Sequence, residues 1–367
     1  MMRPGQVLGL IAAGVALTGS GLWLVSRHVA DSALDAQGPV LPLKQDALNS
    51  VTALRIFKGD GSHATLTRAA TGWIVAERGF PADTGQVRKL LLDLSALQAE
   101  EQKTRDPTLY PKLGVEDPSG VQSASTGVAI DSTGSTVTLI VGKTFGTAGT
   151  FVRVAGQAQS LLATPQLTPD ADPRHWLDRS LLDIAPDQVI EADVTPPQGP
   201  GYAVKRASQG STEYRVDPLP KGRELSDPSA PASQAGALAG LQLDDVRKAA
   251  ADAAVAHASF RTSDGVVIVI AGHPQNEQRY ISISVSGDSA AAQQRARELN
   301  ARLSGWEFEI PGYRYETLFR PLEQLLKPKA TPAPAALPFG PGNANKGGNK
   351  ATPEQSHKLP SATGDSH

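Results

Sequence analysis

Residues 7–25 (VLGLIAAGVALTGSGLWLV) form an unbroken uncharged run, and that run limits the architectures open to this chain more than any other feature. As an α-helix it extends about 28 Å, close to the roughly 30 Å hydrocarbon core of a bilayer. Arg3 precedes it and Arg27 follows it, and Trp23 lies near its outer end, the level at which interfacial tryptophans collect. Two other readings compete. Residues 18–20 (TGS) could serve as a small-residue cleavage site of a signal peptide, and the run could be a buried core helix. Because the apolar pattern resumes at residues 22–25 (LWLV), an uncleaved anchor suits it better. Arg3 and the free amine favour an N-terminus inside and the bulk of the chain in the periplasm, whereas Arg27 and His28 oppose that orientation. Ala12, Ala13, Gly14 and Ala16 would let a second helix approach closely, although small residues are common in membrane helices anyway.

The remainder is polar enough to stay in water. Of 367 residues, 40% are hydrophobic and 20% charged, and the length exceeds what one hydrophobic core usually serves. The expected partition is a transmembrane anchor at 1–28, a stalk at 29–50, a first unit at 51–186, a second at 187–327, and a tail at 328–367. The tail is rich in Pro, Ala, Gly, Asn and Lys, a composition that cannot bury enough surface to offset its ordering entropy, so it is expected to be disordered.

The two central units carry similar patterns. In the first, alternating strands are expected at 51–57, 63–68 and 72–77, then a helix capped by Asp83 with Val87, Leu90, Leu91, Leu94 and Leu97 on one face. Strands follow at 128–131, 136–142 and 150–155, and a short helix at 175–184. In the second, strands near 188–195, 201–207 and 212–217 lead to a helix at 232–250. Strands return at 258–262, 266–272 and 279–285, followed by a helix near 288–303 and a closing segment at 306–326. Residues 129–142 (AIDSTGSTVTLIVG) and 259–272 (SFRTSDGVVIVIAG) match as strand, glycine turn, strand, terminal glycine, with Gly134 and Gly265 supplying positive φ. The predicted fold class is α+β: two tandem repeated units, each an antiparallel sheet with helices packed on one face, plus one N-terminal transmembrane helix.

Chemistry-bearing motifs are sparse. The chain has no cysteine, which removes disulfides, thiolate ligands and cysteine nucleophiles. A net charge of −2 and 5% aromatic residues give nucleic acid nothing to hold, so no nucleic-acid partner is expected. Gly142-Lys143-Thr144 resembles the end of a phosphate loop, but the position five residues earlier is Val137, inside a strand, so Gly142 is expected to end that strand. His63 and His257 look like strand residues without a carboxylate pattern nearby. Asp170, Asp172, His175 and Asp178 are interrupted by Pro173 and suit capping better than zinc. Glu100 and Glu101 are expected to end the amphipathic helix on its solvated face. No Gly-x-Ser-x-Gly elbow is present. Trp73, Trp176 and Trp306 are expected to anchor cores. No catalytic, cofactor-binding or metal-binding residue is therefore expected, and the chain is not read as an enzyme.

The residues nevertheless resemble a family. Residues 73–83 (WIVAERGFPAD), the leucine helix, Lys103-Thr104, 110–115 (YPKLGV), Val141-Gly142, Phe151-Val152-Arg153, 176–182 (WLDRSLL) and the ending at 306–326 are similar to a bacterial domain-of-unknown-function family (DUF 4340), over most of 50–326. The resemblance implies a one-span extracytoplasmic protein that accompanies ABC-type transporters of the gliding-motility kind. It carries no catalytic residues. The expected function is thus a non-catalytic, membrane-anchored periplasmic accessory or scaffold protein, held to the inner membrane by one helix with a transporter permease or related subunit as partner. A stand-alone binding module for envelope polysaccharide or peptide is the alternative.

Overall fold

Period-two alternation of apolar and polar residues builds most of this molecule. The computed structural model describes residues 38–328 apart from 44, 148, 251 and 252. The expected anchor (1–28), most of the stalk and nearly all of the tail lie outside the described residues. Among those described, no helix is long and apolar enough to cross a membrane.

The strands, in chain order, are β1 (Gly38–Pro39), β2 (Val51–Lys58), β3 (His63–Ala69), β4 (Gly72–Val75), β5 (Phe80–Pro81), β6 (Gln98–Gln102), β7 (Thr126–Ser132), β8 (Ser135–Phe145), β9 (Gly149–Val154), β10 (Ser160–Thr164), β11 (Ser180–Leu182), β12 (Val189–Thr195), β13 (Tyr202–Arg206), β14 (Tyr214–Asp217), β15 (Leu241–Gln242), β16 (Asp245–Lys248), β17 (Ala256–Thr262), β18 (Val266–Gln275), β19 (Gln278–Gly287) and β20 (Trp306–Glu309). The helices are α1 (Thr84–Ser95), α2 (Tyr110–Leu113), α3 (Ala230–Ala235), α4 (Ala290–Leu303), α5 (Gly312–Leu318) and α6 (Leu322–Leu325). The described chain is thus mostly antiparallel sheet with a few helices, an α+β arrangement.

One sheet runs β1-β6-β10-β9-β8-β7-β2-β3-β4-β5 and the other β14-β13-β12-β17-β18-β19-β20-β16. In each, an early strand (β2, β12) carries its hairpin on one side. On the other side lies a four-strand series, β7 to β10 or β17 to β20, closed by the strand that precedes that series in sequence (β6, β16). A bulge falls at the same place in both, between Val51 and Ala53 of β2 and between Val189 and Glu191 of β12. Gly134 and Gly265 take φ of 86° and 85° in the hairpin turns.

The helix after Asp83 forms as its sequence pattern predicts. Asp83 accepts hydrogen bonds from the Gly85 and Gln86 amides, and Val87, Leu90, Leu91 and Leu94 are buried. Ser289 caps α4, which packs on β19. Several expectations require correction, three of them here. Residues 175–184 are not a helix: a 3-10 turn, Pro173–Trp176, is followed by β11, which pairs with β15. Of 232–250, only α3 and a 3-10 turn at Gly236–Leu238 are helical; the remainder supplies β15 and β16 because non-local pairing to β11 and β20 outweighs an alanine-rich helical preference. Glu100 and Glu101 lie in β6, not at a helix end.

One hydrophobic core runs through both sheets. At their junction Phe80 of β5 meets Trp306 and Phe308 of β20 edge-on, with ring centroids 5.2 and 5.9 Å apart. Arg78 makes a bidentate pair with Asp245 of β16 at 2.6 and 2.8 Å, and Arg179 pairs with Asp244 at 2.5 Å.

Candidate functional site

The loop between β6 and β7 builds an open concavity on the described surface. Asp106 caps a 3-10 turn at Pro107–Leu109, α2 follows, and Gly114, at φ 69°, turns the chain back across β8. Gly142 permits that crossing. A Cβ there would stand 2.4 Å from the Leu113 carbonyl oxygen and 2.8 Å from that of Gly114. The expectation that Gly142 ends its strand is therefore corrected: β8 runs on to Phe145, and the missing side chain makes room for the loop backbone. Lys143 donates from Nζ to the Lys112 carbonyl at 3.0 Å and, more weakly, to that of Pro111. It fastens the loop.

Beneath the loop is a buried arginine. Arg153 of β9 is 4% exposed. Its Nε donates to the Val115 carbonyl at 2.9 Å, one terminal nitrogen to the Gln157 carbonyl at 3.2 Å, and the other to Asp117 Oδ1 at 2.6 Å. Its guanidinium stacks 4.6 Å from the centre of the Tyr110 ring, whose hydroxyl donates to the Ala158 carbonyl. Glu116 Oε1 accepts from the Ala124 amide at 2.7 Å, while its Oε2 is buried with no hydrogen-bond partner among the described residues. These groups, with Pro107, Ser119, Gln122 and Gln157, line a cleft of about 800 Å³. Arg153 itself is spent on holding loop to sheet; the outer wall presents neutral amides, hydroxyls and carboxylate oxygen.

A second polar constellation sits on the outer face of the other sheet. Glu307 of β20 is 1% exposed and accepts from Arg247 Nε at 2.8 Å and from the Ala250 amide at 3.0 Å. The Arg247 guanidinium lies 3.7 Å from the centre of the Tyr280 ring and also donates to Gln275. Burial raises the Tyr280 hydroxyl above its ordinary pKa, with Glu309 adding to the rise. Asp245 holds Arg78 further toward its charged form through their hydrogen bonds. Nothing in the sequence alone singles out this group, since its members come from β16, β18, β19 and β20 and meet only through strand register. On the same face His273 Nε2 lies 3.0 Å from Ser282 Oγ. Elsewhere, burial pushes the Tyr202 hydroxyl up to about 12; that hydroxyl donates to the Arg320 carbonyl.

The residues singled out in sequence occupy structural positions. Asp172 accepts from the Arg174 amide and pairs with its guanidinium, Asp170 accepts from the Asp172 amide, and His175 lies 3.6 Å from Asp170. Asp178 is 3.6 Å from Arg302. The four are thus distributed over capping and ion pairs. His63 does have a carboxylate close by, with Glu77 at 3.7 Å, contrary to its sequence reading; His257 lies on the exposed face of β17. Glu100 accepts from the Thr164 hydroxyl and Glu101 from Lys103. Trp73 and Trp176 are buried, and Trp306 packs partly buried against the core.

A family model described as Domain of unknown function (DUF4340) matches residues 73–259, just over half of the chain. No curated protein and no solved structure matches it.

Proposed function

The chain belongs to the DUF4340 family, and from that premise we propose that it is a non-catalytic accessory or scaffold protein of an ABC-type envelope transport system, anchored in the bacterial inner membrane by residues 7–25 with its bulk in the periplasm. The uncharged run supports the anchor by its length and flanking arginines. The observation that carries the scaffold reading is the junction: a continuous core and the Arg78–Asp245 and Arg179–Asp244 pairs bind two sheets of the same strand order into one body. A rigid tandem body of two related units offers a partner a fixed spacing between two similar surfaces, which is what a scaffold needs. The acidic and histidine side chains at 170, 172, 175 and 178, with Glu100 and Glu101, are engaged in caps, ion pairs and hydrogen bonds, which supports a non-catalytic role.

The experiment is affinity purification of the full-length protein from detergent-solubilised membranes of its own host. Transporter permease or ATPase subunits in stoichiometric amount are the expected result. Recovery of the protein alone, or its release from membranes by alkaline carbonate, overturns the reading. The open cleft over Arg153, with its exposed Gln122 and Gln157 amides, favours the second reading, a binding module for envelope polysaccharide or peptide. That reading predicts retention on immobilised envelope polysaccharide that is lost in Gln157→Ala.

A further inference from the structure

A smaller cleft lies between the 3-10 turn Gln45–Ser50, strands β3 and β4, and the first turns of α1. It measures about 330 Å³ and is lined by Leu48, Asn49, Arg68, Trp73, Thr84, Arg88, Leu91 and Leu92. These carry two positive charges and no negative one. Arg68 is held ready: its Nε donates to the Val51 carbonyl at 2.8 Å, one terminal nitrogen to the Leu48 carbonyl at 3.2 Å, and its guanidinium stacks 4.8 Å from the centre of the Trp73 ring. The other terminal nitrogen has no protein acceptor among the described residues. Arg88, exposed on α1, has neither an ion pair nor a hydrogen bond there. Its neighbours on the helix do: Lys89 pairs with Asp93 one turn on, and Asp83 is consumed in capping. Two guanidinium groups, one fixed and one free, in a recess with no carboxylate in its lining are the arrangement that a planar or tetrahedral oxyanion satisfies by forked hydrogen bonds. Leu48, Leu92 and Trp73 give the recess an apolar wall beside the charged one.

We propose that this cleft binds a phosphate-class oxyanion joined to an apolar group, as in the headgroup region of an anionic phospholipid. The oxyanion site stands on the cleft alone. The lipid as its source rests on the anchored reading, because the turn that walls the cleft follows residue 28 by about twenty residues and so lies within roughly 70 Å of chain from a membrane surface.

The test uses the full-length protein in a neutral detergent, titrated calorimetrically with short-chain phosphatidylglycerol, short-chain phosphatidylcholine and inorganic phosphate. Saturable binding of phosphatidylglycerol is expected. It should weaken with added salt, exceed binding of phosphatidylcholine, and fall roughly 10- to 100-fold in Arg88→Glu, the size of one lost charge-assisted hydrogen bond. Arg88→Gln, which removes the charge without adding a negative one, should show a smaller loss in the same direction. Inorganic phosphate binding as tightly as the lipid, with the same Arg88 dependence, upholds the site and assigns it a soluble oxyanion instead. Absence of saturable binding by either anion, or binding that Arg88→Glu leaves unchanged, overturns the proposal. Because the titration contains no transporter, its outcome is separate from that of the affinity purification.

Discussion

At the scale of single residues, the buried guanidinium of Arg153 separates structural from surface electrostatics. It satisfies two loop carbonyls and stacks on Tyr110, whereas its carboxylate partner, Asp117, has a side chain 74% exposed. Arg153→Met should therefore lower stability by about 2–3 kcal/mol, since it leaves buried acceptors without donors. Asp117→Asn should cost at most about 1 kcal/mol, as removal of an exposed pair does. Urea titration of both variants checks the contrast, and equal losses would show that the ion pair and not the carbonyl network holds the loop. Asp264 supports a prediction in pH. The Thr262 hydroxyl donates to it, and Arg295 lies 2.5 Å away, so its carboxyl sits below the ordinary aspartate range. A carboxyl depressed in the folded state stabilises above the unfolded value, near ~3.9, and that stabilisation is lost as pH falls through the folded value. Asp264→Asn should accordingly lower Tm at pH 7, and the difference from the parent should close as pH is taken from about 4 toward 2. A difference that persists unchanged at low pH would assign the effect to something other than the charge.

At the scale of elements, α1 shows what local sequence can specify. Its cap, its buried face and its end are all written within Asp83 to Leu97, and Asp83→Ala should cost about 1 kcal/mol by thermal or chemical denaturation. The long hairpins are equally legible. In β17 to β19, Ala258, Phe260, Ile268, Ile270, Ile281 and Ile283 alternate inward, and the two turns place Gly265 and Asn276 at positive φ. Illegible elements are those whose conformation is decided elsewhere. The sequence of β6, QAEEQ, has one buried residue, Ala99, and becomes a strand because β1 and β10 flank it. Likewise β16 (DVRK) follows an alanine-rich stretch that reads as helix, but Gly236 and Gly240 break the run and β20 offers an edge. The same division applies to the candidate sites. The roles of Lys143 and Gly142 depend on a loop lying across β8, and Arg247, Glu307 and Tyr280 meet only through register. Gly142→Ala tests the loop crossing. Its new methyl would meet two carbonyl oxygens well inside contact distance, so a loss of about 1–3 kcal/mol is expected, while the same change at Gly38, where nothing lies near, should be nearly silent.

For the whole molecule, the decisive question is whether two sheets of one strand order behave as two folding units or as one. Domains that merely touch share modest, polar interfaces and unfold separately. Here the apolar interior is continuous, and the contact surface includes Phe80, Trp306 and Phe308, with Phe80 and Phe308 almost fully buried. Chain connectivity adds a third bond, because β11, from the segment leaving the first sheet, pairs with β15, from the segment that enters the second. Unfolding either sheet alone would expose the facing aromatic rings of the other and leave Arg78 or Asp245 without its partner. Cooperative loss of both is therefore expected. Trp73 reports on the first sheet and Trp306 on the second, so variants of the full chain that retain one or the other as sole tryptophan should give coincident denaturation midpoints. Phe80→Ala should move both midpoints downward together, by an amount consistent with roughly 3–5 kcal/mol for a large buried ring. Midpoints that separate, with Phe80→Ala shifting only the Trp73 signal, would mean that the sheets are independent bodies in contact. A fixed spacing between their two surfaces would then be lost as a property that a partner could use.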